Sequence, residues 1–277
     1  MNKKIIIPED YSELTKKQLR IVVRGFLKMT ITLHIQPVDV QRDLADYILG
    51  RKKYIYSLKR EKYFLMVDRV AGKLDWLFCY EGNLAMMNFN TTENILPVLN
   101  GLQGPQSHGA DITFCEFRTA VDIMEQYNQD HDDETLDALV GTLYRLPDKK
   151  ETDPDFNGQY RRKFNKHHIG IYTRRAKKIQ PEFKYAIYLW FANFCRYLVE
   201  GVFYIEGKEV EFAPVFGVNE DPDTKSNSDK LGMMSILFTL ADAGTFGNVE
   251  ATDNALLLDV MCKLLNDHNL AKQLQKK

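Results

Sequence analysis

The sequence is short of the features that announce chemistry. Its 277 residues hold four cysteines, Cys79, Cys115, Cys195 and Cys262, far apart and with no C-x-x-C pair. Neither a disulfide framework nor a paired-thiol zinc site is indicated. Three of the four fall in helical patterns, as buried free thiols of a reducing compartment do. No apolar run reaches the roughly 20 residues a membrane span needs. The longest, residues 185–199, is broken by Asn193 and Arg196 and reads as a central core helix. Ile5, Ile6 and Ile7 before Pro8 are too few for the core of a signal peptide. A soluble chain with no membrane partner is expected. There is no G-x-S-x-G elbow, no glycine-rich phosphate loop and no H-E-x-x-H pair, so no catalytic residue is nominated and no enzyme is expected. The net charge of -1 also lacks the strong basic excess of a dedicated nucleic-acid domain.

Two weak metal patterns fail on inspection. Asp221, Asp223, Asn227 and Asp229 alternate like a calcium loop, but its fifth, sixth and twelfth positions hold Lys225, Ser226 and Gly232 in place of a ligand, Gly and Glu. His167 and His168 are adjacent, and adjacent side chains point apart. No metal and no cofactor is assigned.

What the chain does have is helical periodicity. Residues 113–147 read as two amphipathic helices joined by an acidic loop. Thr113 and Glu116 stand in capping-box relation, and Phe114, Phe117, Val121 and Met124 form one stripe. Leu136, Leu139, Val140, Leu143 and Tyr144 form the other, with Asp132, Asp133 and Glu134 at its start, Arg145 at its end and Pro147 beyond. A helix over 11–29 opens with Thr15 and Gln18. Another follows Pro37, with Val40, Leu44, Tyr47 and Ile48 inward, and ends near Gly50. Pro181 starts the long 182–200 helix, preceded by a helix around 172–179.

Between these the spacing predicts a small hairpin over 53–66, a short helix from Asp68 through Val70, Leu74, Leu77 and Phe78, a tight turn at Asn100-Gly101, an exposed loop at 148–158, and a hairpin turning at Glu206-Gly207-Lys208. The polar stretch 217–230 reads as a linker. A helical pair follows over 231–277, its second helix capped by Thr252 and its last ten residues frayed. The fold expected is mainly α, a multi-helix globular scaffold with two or three small peripheral β-hairpins. Its domains would be 1–216, the linker, and a C-terminal pair docked or separate.

The charges are unevenly spread. Residues 156–181 contain Arg161, Arg162, Lys163, Lys166, Arg174, Arg175, Lys177 and Lys178 and no acid, interleaved with Tyr160, Phe164 and Tyr172. A second run, 51–62, mixes Arg51, Lys52, Lys53, Lys59, Arg60 and Lys62 with Tyr54 and Tyr56. Basic residues among aromatics suit single-stranded nucleic acid, through phosphate attraction and base stacking. The same pattern suits docking to an acidic protein surface, or a plain solvated face.

Three stretches carry a resemblance: PEDYSELTKKQLRIVVRGFL; GPQSHGADITFCEFRTAVDIMEQYN with the later LDALVGTLYRLP; and KYAIYLWFANFCRYL. In that order they resemble a family of bacteriophage- and prophage-encoded proteins with the pattern E-L-T-x-x-Q-L, then E-F-x-x-A and L-x-x-L-V-x-x-L-Y-R-P, then an A-I-x-x-W helix. The resemblance covers roughly residues 5–205. The chain departs from it at Leu146, which separates Arg145 from Pro147, and after about Gly207. It implies a phage structural or assembly protein of the tail-assembly type, acting through contacts with other phage proteins in the bacterial host cytoplasm, or incorporated in the virion. The resemblance supplies no catalytic residues. The alternative function is nucleic-acid binding through runs 51–62 and 156–181. Oligomeric state is not legible.

Overall fold

The computed structural model describes residues 5–32, 34–50, 60–148, 150–154, 156, 158–216 and 233–275. The protein is mainly helical, with small two-stranded antiparallel sheets. Its chain divides into two compact units, 1–96 with 180–190, and 97–179 with 191–277. This division differs from the expected boundary near 217–230, a stretch that lies outside the described residues.

In the first unit, α1 (Lys16–Ile31) and α2 (Pro37–Leu49) pack closely. Thr15 and Gln18 complete the expected capping box, and Pro37 supplies the first residue of α2. The helices approach at Gly25, where a Cβ would lie 2.6 Å from Val40 Cγ1. Leu19, Val22, Val23, Val40 and Leu44 are buried as their spacing predicts, whereas Tyr47 is exposed.

The next segment corrects two expectations. Residues 60–71 form α3 (Arg60–Ala71), not the end of a hairpin, because Tyr63, Val67 and Val70 recur at helical spacing and are buried. Residues 53–59 of that expected hairpin lie outside the described ones. Asp68 sits inside α3 instead of capping a new helix. Leu74 and Leu77 belong to a single 3-10 turn, and Phe78 begins β1 (Phe78–Glu81), paired with β2 (Leu84–Met87). The turn is Gly82-Asn83, with Gly82 at φ 59°. Tyr11 anchors this region: its ring meets Trp76 and Phe89 at 5.1 and 4.7 Å, and its hydroxyl donates to Leu77 O at 2.8 Å.

The second unit opens with β3 (Val98–Leu99) and β4 (Leu102–Gln103). Their turn, Asn100-Gly101, has both φ positive, at 48° and 75°, the two-residue turn that matches strand twist. Then come α4 (Phe114–Asp130), α5 (Asp133–Leu143) and α6 (Ile169–Ala176). The connection between α4 and α5 is two residues, His131 in the left-handed region and Asp132 as N-cap, so α5 turns back on α4. The predicted α5 stripe is buried throughout, Leu139, Val140 and Leu143 at 0 % exposure. Gly141 lets α6 lie against α5, since a Cβ there would meet Thr173 N at 2.6 Å.

Helix α7 (Pro181–Glu200) contributes its first half to the first unit and its second half to the second. In the latter, Phe117 meets Phe191 and Phe194 edge-on at 6.1 and 6.3 Å. The β5 (Val202–Ile205) and β6 (Lys208–Glu211) hairpin turns at Glu206-Gly207 as expected, both at positive φ. Helices α8 (Met233–Asp242), α9 (Val249–Asp253) and α10 (Leu257–Gln275) end the described chain. Thr252 lies buried within α9, whose cap is Asn248, and the final residues through Gln275 are helical rather than frayed. Phe114 N donates to Ala255 O at 2.9 Å and Leu257 N to Ile112 O at 2.8 Å, which ties these last helices to the start of α4.

Candidate functional site

Beneath the basic run of the second unit lies a buried quartet of charges. Glu116, in the first turn of α4, is fully buried. Its carboxylate accepts from Arg145 Nη1 and Nη2 at 2.9 and 3.1 Å, and from Arg161 Nη1 at 2.6 Å. Arg161 Nε also donates to Asp111 Oδ2 at 2.9 Å. Two carboxylates thus face two guanidiniums, the balance a dry interior demands. The guanidiniums further satisfy orphan carbonyls at the end of α5, Arg145 on Thr142 O and Arg161 on Leu143 O, at 2.5 and 2.6 Å.

Burial works against the charged form of Glu116, but Arg145 and then Arg161 outweigh it and hold the carboxyl below its ordinary range. The guanidiniums diverge for the same reason. Burial lowers Arg145, which has Glu116 for it and Arg161 against it. Arg161 is equally dehydrated, yet Glu116 and Asp111 together raise it.

This corrects the expected capping box at α4. Thr113 does accept from Glu116 N at 3.3 Å, but the Glu116 carboxylate is directed to partners 29 and 45 residues away.

The quartet fixes the course of the chain above it. Arg162 N donates to Leu146 O and Asp148 N to Tyr160 O, both at 2.9 Å. Arg145 Nε holds Arg162 O at 2.7 Å. Along this extended stretch Arg161 drops inward, Arg162 and Lys163 stay in solvent, and Phe164 turns in again, its ring 5.5 Å from the Arg145 guanidinium. Asn165 then caps a 3-10 turn that leads into α6.

The expected surface residues therefore separate. Arg162, Lys163, Lys166, Arg174, Arg175, Lys177 and Lys178 are exposed. Lys177 pairs with Glu134 at 3.0 Å; the others form no ion pair among the described residues. Arg161 and Tyr172 are buried, at 2 % and 6 % exposure, and are corrected from surface to core: Arg161 neutralises the quartet, and Tyr172 is on the face of α6 turned to the interior. Phe164 is also buried. Tyr160 is half-buried and donates to Glu151. Arg51, Lys52, Lys53, Tyr54 and Tyr56 lie outside the described residues.

Arg162, Lys163 and Lys166 line a groove of about 610 Å³ together with Phe164, Tyr172, Cys115, Glu250, Asp253 and Asn254. Burial, reinforced by Asp253, pushes the Cys115 thiol up to about 11, so it is no nucleophile near neutrality. No group of three His, Cys, Asp or Glu that could hold a metal occurs among the described residues, and no helix among them is long and apolar enough to cross a membrane. The groove and the quartet escaped sequence reasoning because their members come from three separated segments; the acid-free run 156–181 was the signal available. Comparison with protein-family models, with curated proteins and with solved structures found no match.

Proposed function

We propose that the chain is a non-enzymatic assembly protein of the phage tail type, docking an acidic surface of another phage protein on its 162–178 face. The phage-tail assignment rests on the sequence resemblance; the observation that supports the docking is the company those cations keep. Arg162, Lys163, Lys166, Arg174, Arg175 and Lys178 are solvent-facing without acidic partners among the described residues, while Phe164 and Tyr172 between them are buried. Charge without exposed rings suits electrostatic steering to a protein partner. It withholds the stacking platforms that single-stranded nucleic acid uses. Co-expression with the products of neighbouring tail genes, followed by pull-down, tests the reading. A complex is expected that weakens when Arg174, Arg175 and Lys178 are changed to Glu. Absence of a complex with every tail product, or one indifferent to the charge change, overturns it.

Nucleic-acid binding is the second reading, since the same cations could neutralise phosphates. It requires a mobility shift at low salt with a steep loss as salt rises, and a chain that shifts no nucleic acid at low salt removes it.

A further inference from the structure

We propose that the groove beside α6 is the reading pocket for the partner: it takes a short peptide segment with a carboxylate beside an apolar side chain. The inference rests on the docking reading above and names the site through which recognition would occur.

The groove holds charges of both signs, and their accounting decides what fits. Asp253 is already neutralised. The Arg118 guanidinium, itself 4 % exposed, donates to its carboxylate from inside the fold, and Cys115 bonds it as well. That leaves Glu250, exposed and in no ion pair among the described residues, as the other carboxylate of the lining. Sharing the lining are Arg162, Lys163 and Lys166, none of them in an ion pair among the described residues. The lining thus carries a surplus of positive charge, and an anion entering it meets cations that need no partner broken first.

The walls narrow the anion further. Phe164 and Tyr172 line the groove while being 8 % and 6 % exposed, and the Phe164 ring has Arg145 5.5 Å from its centroid. They supply apolar wall for an aliphatic group and, so little exposed, no open face for a base to stack on. The groove is open to solvent, and its volume of about 610 Å³ leaves room for a few side chains. The lip is held in place by the Arg162 backbone bonds to Leu146 and Arg145, so little ordering is needed on binding.

The test uses the full chain and a fluorescein-labelled hexaglutamate-leucine peptide, read by anisotropy. Saturable binding is expected. Lys163→Ser with Lys166→Ser should weaken it about tenfold, and Arg174→Ser with Arg175→Ser, at the other end of α6, should weaken it less. Glu250→Gln removes the opposing carboxylate and should tighten binding about threefold, a gain that a damaged fold would not give. No peptide binding, a loss confined to the α6 pair, or weaker binding by Glu250→Gln each overturns the pocket. Duplex DNA that binds more tightly than the peptide and depends on Lys163 and Lys166 also overturns it. In any of these outcomes a tail-protein complex sensitive to the α6 charge reversal keeps the docking reading alive. Loss of that complex with peptide binding intact removes the docking reading instead.

Discussion

Glu116→Gln is the sharpest test of how the second unit is held together. The native carboxylate accepts from two guanidiniums in a site with no exposure. Gln keeps one acceptor oxygen but turns an NH2 toward groups that are donors only. Two buried guanidiniums then share Asp111 alone. Breaking a buried ion pair by removing one partner costs about 3–5 kcal/mol, a large fraction of the 5–15 kcal/mol by which domains are stable. With a urea slope of about 2–3 kcal/mol/M, the midpoint should fall by roughly 1–2.5 M. Far-UV circular dichroism is the proper probe, because Trp76 and Trp190 both belong to the first unit. Glu116→Leu with Arg145→Met removes a charge of each sign and leaves Arg161 on Asp111; it should be less damaging than Glu116→Gln. Acid should act through the same group. Its carboxyl is depressed below its ordinary 4.5 in the fold, so the unfolded chain binds the proton first. The stabilisation is fully present above 4.5 and is lost as pH falls through the folded value, and Glu116→Gln should flatten that acid limb. A cost under about 1 kcal/mol, or a double variant no better than the single, would refute the reasoning.

Other substitutions probe the packing around the groove. Gly141→Ala drives a methyl into the α6 backbone at Thr173 N and should destabilise by about 1–3 kcal/mol, whereas Gly170→Ala, with open space around it, should stabilise by up to about 1 kcal/mol; equal signs in thermal melts would contradict the close α5–α6 approach. Thr15→Ala removes the α1 cap and should cost about 1 kcal/mol in urea titration. Disulfide-exchange labelling at pH 8 should find exposed Cys79 fast. Cys115 and Cys195 are half-buried; desolvation lifts Cys195 to about 12, and desolvation with Asp253 lifts Cys115 to about 11, leaving thiolate fractions of about one in a thousand or less, and rapid labelling of either in the native protein would contradict those raised values.

Where local chemistry decides structure, the sequence was readable. Asn100-Gly101 and Glu206-Gly207 must turn because the positive φ they adopt suits a two-residue hairpin. Thr15 with Gln18, Pro37 and Pro181 mark helix starts. Two alternations misled. Val70, Leu74, Leu77 and Phe78 mimic helical spacing, yet Phe78 is buried as a strand residue opposite Met87. Tyr63 to Met66 looked like a returning strand because Phe64, Leu65 and Met66 are apolar, although these three are exposed on α3. Tertiary partners were beyond reach. Nothing near Glu116 in the chain says that Arg145 and Arg161 will claim its carboxylate, and the local capping rule gave a plausible but different partner.

The same long-range pairing decides which side chains of the basic run reach the surface. Read linearly, 156–181 alternates cations with aromatic rings, which is the composition of a stacking surface. In the fold, Arg161 is drawn inward by Glu116 and Asp111, which sets the register of the extended stretch after it. Phe164 follows three residues on, into the interior above Arg145, and α6 turns Tyr172 inward beside Gly141. Phe164 and Tyr172 become core and the remaining cations become surface, so two buried carboxylates, Glu116 and Asp111, underlie a face that presents charge without those two rings. If that reasoning holds, Glu116→Gln should weaken peptide binding at the groove even where the chain remains folded, because the lip carrying Arg162 and Lys163 loses the anchor beneath it.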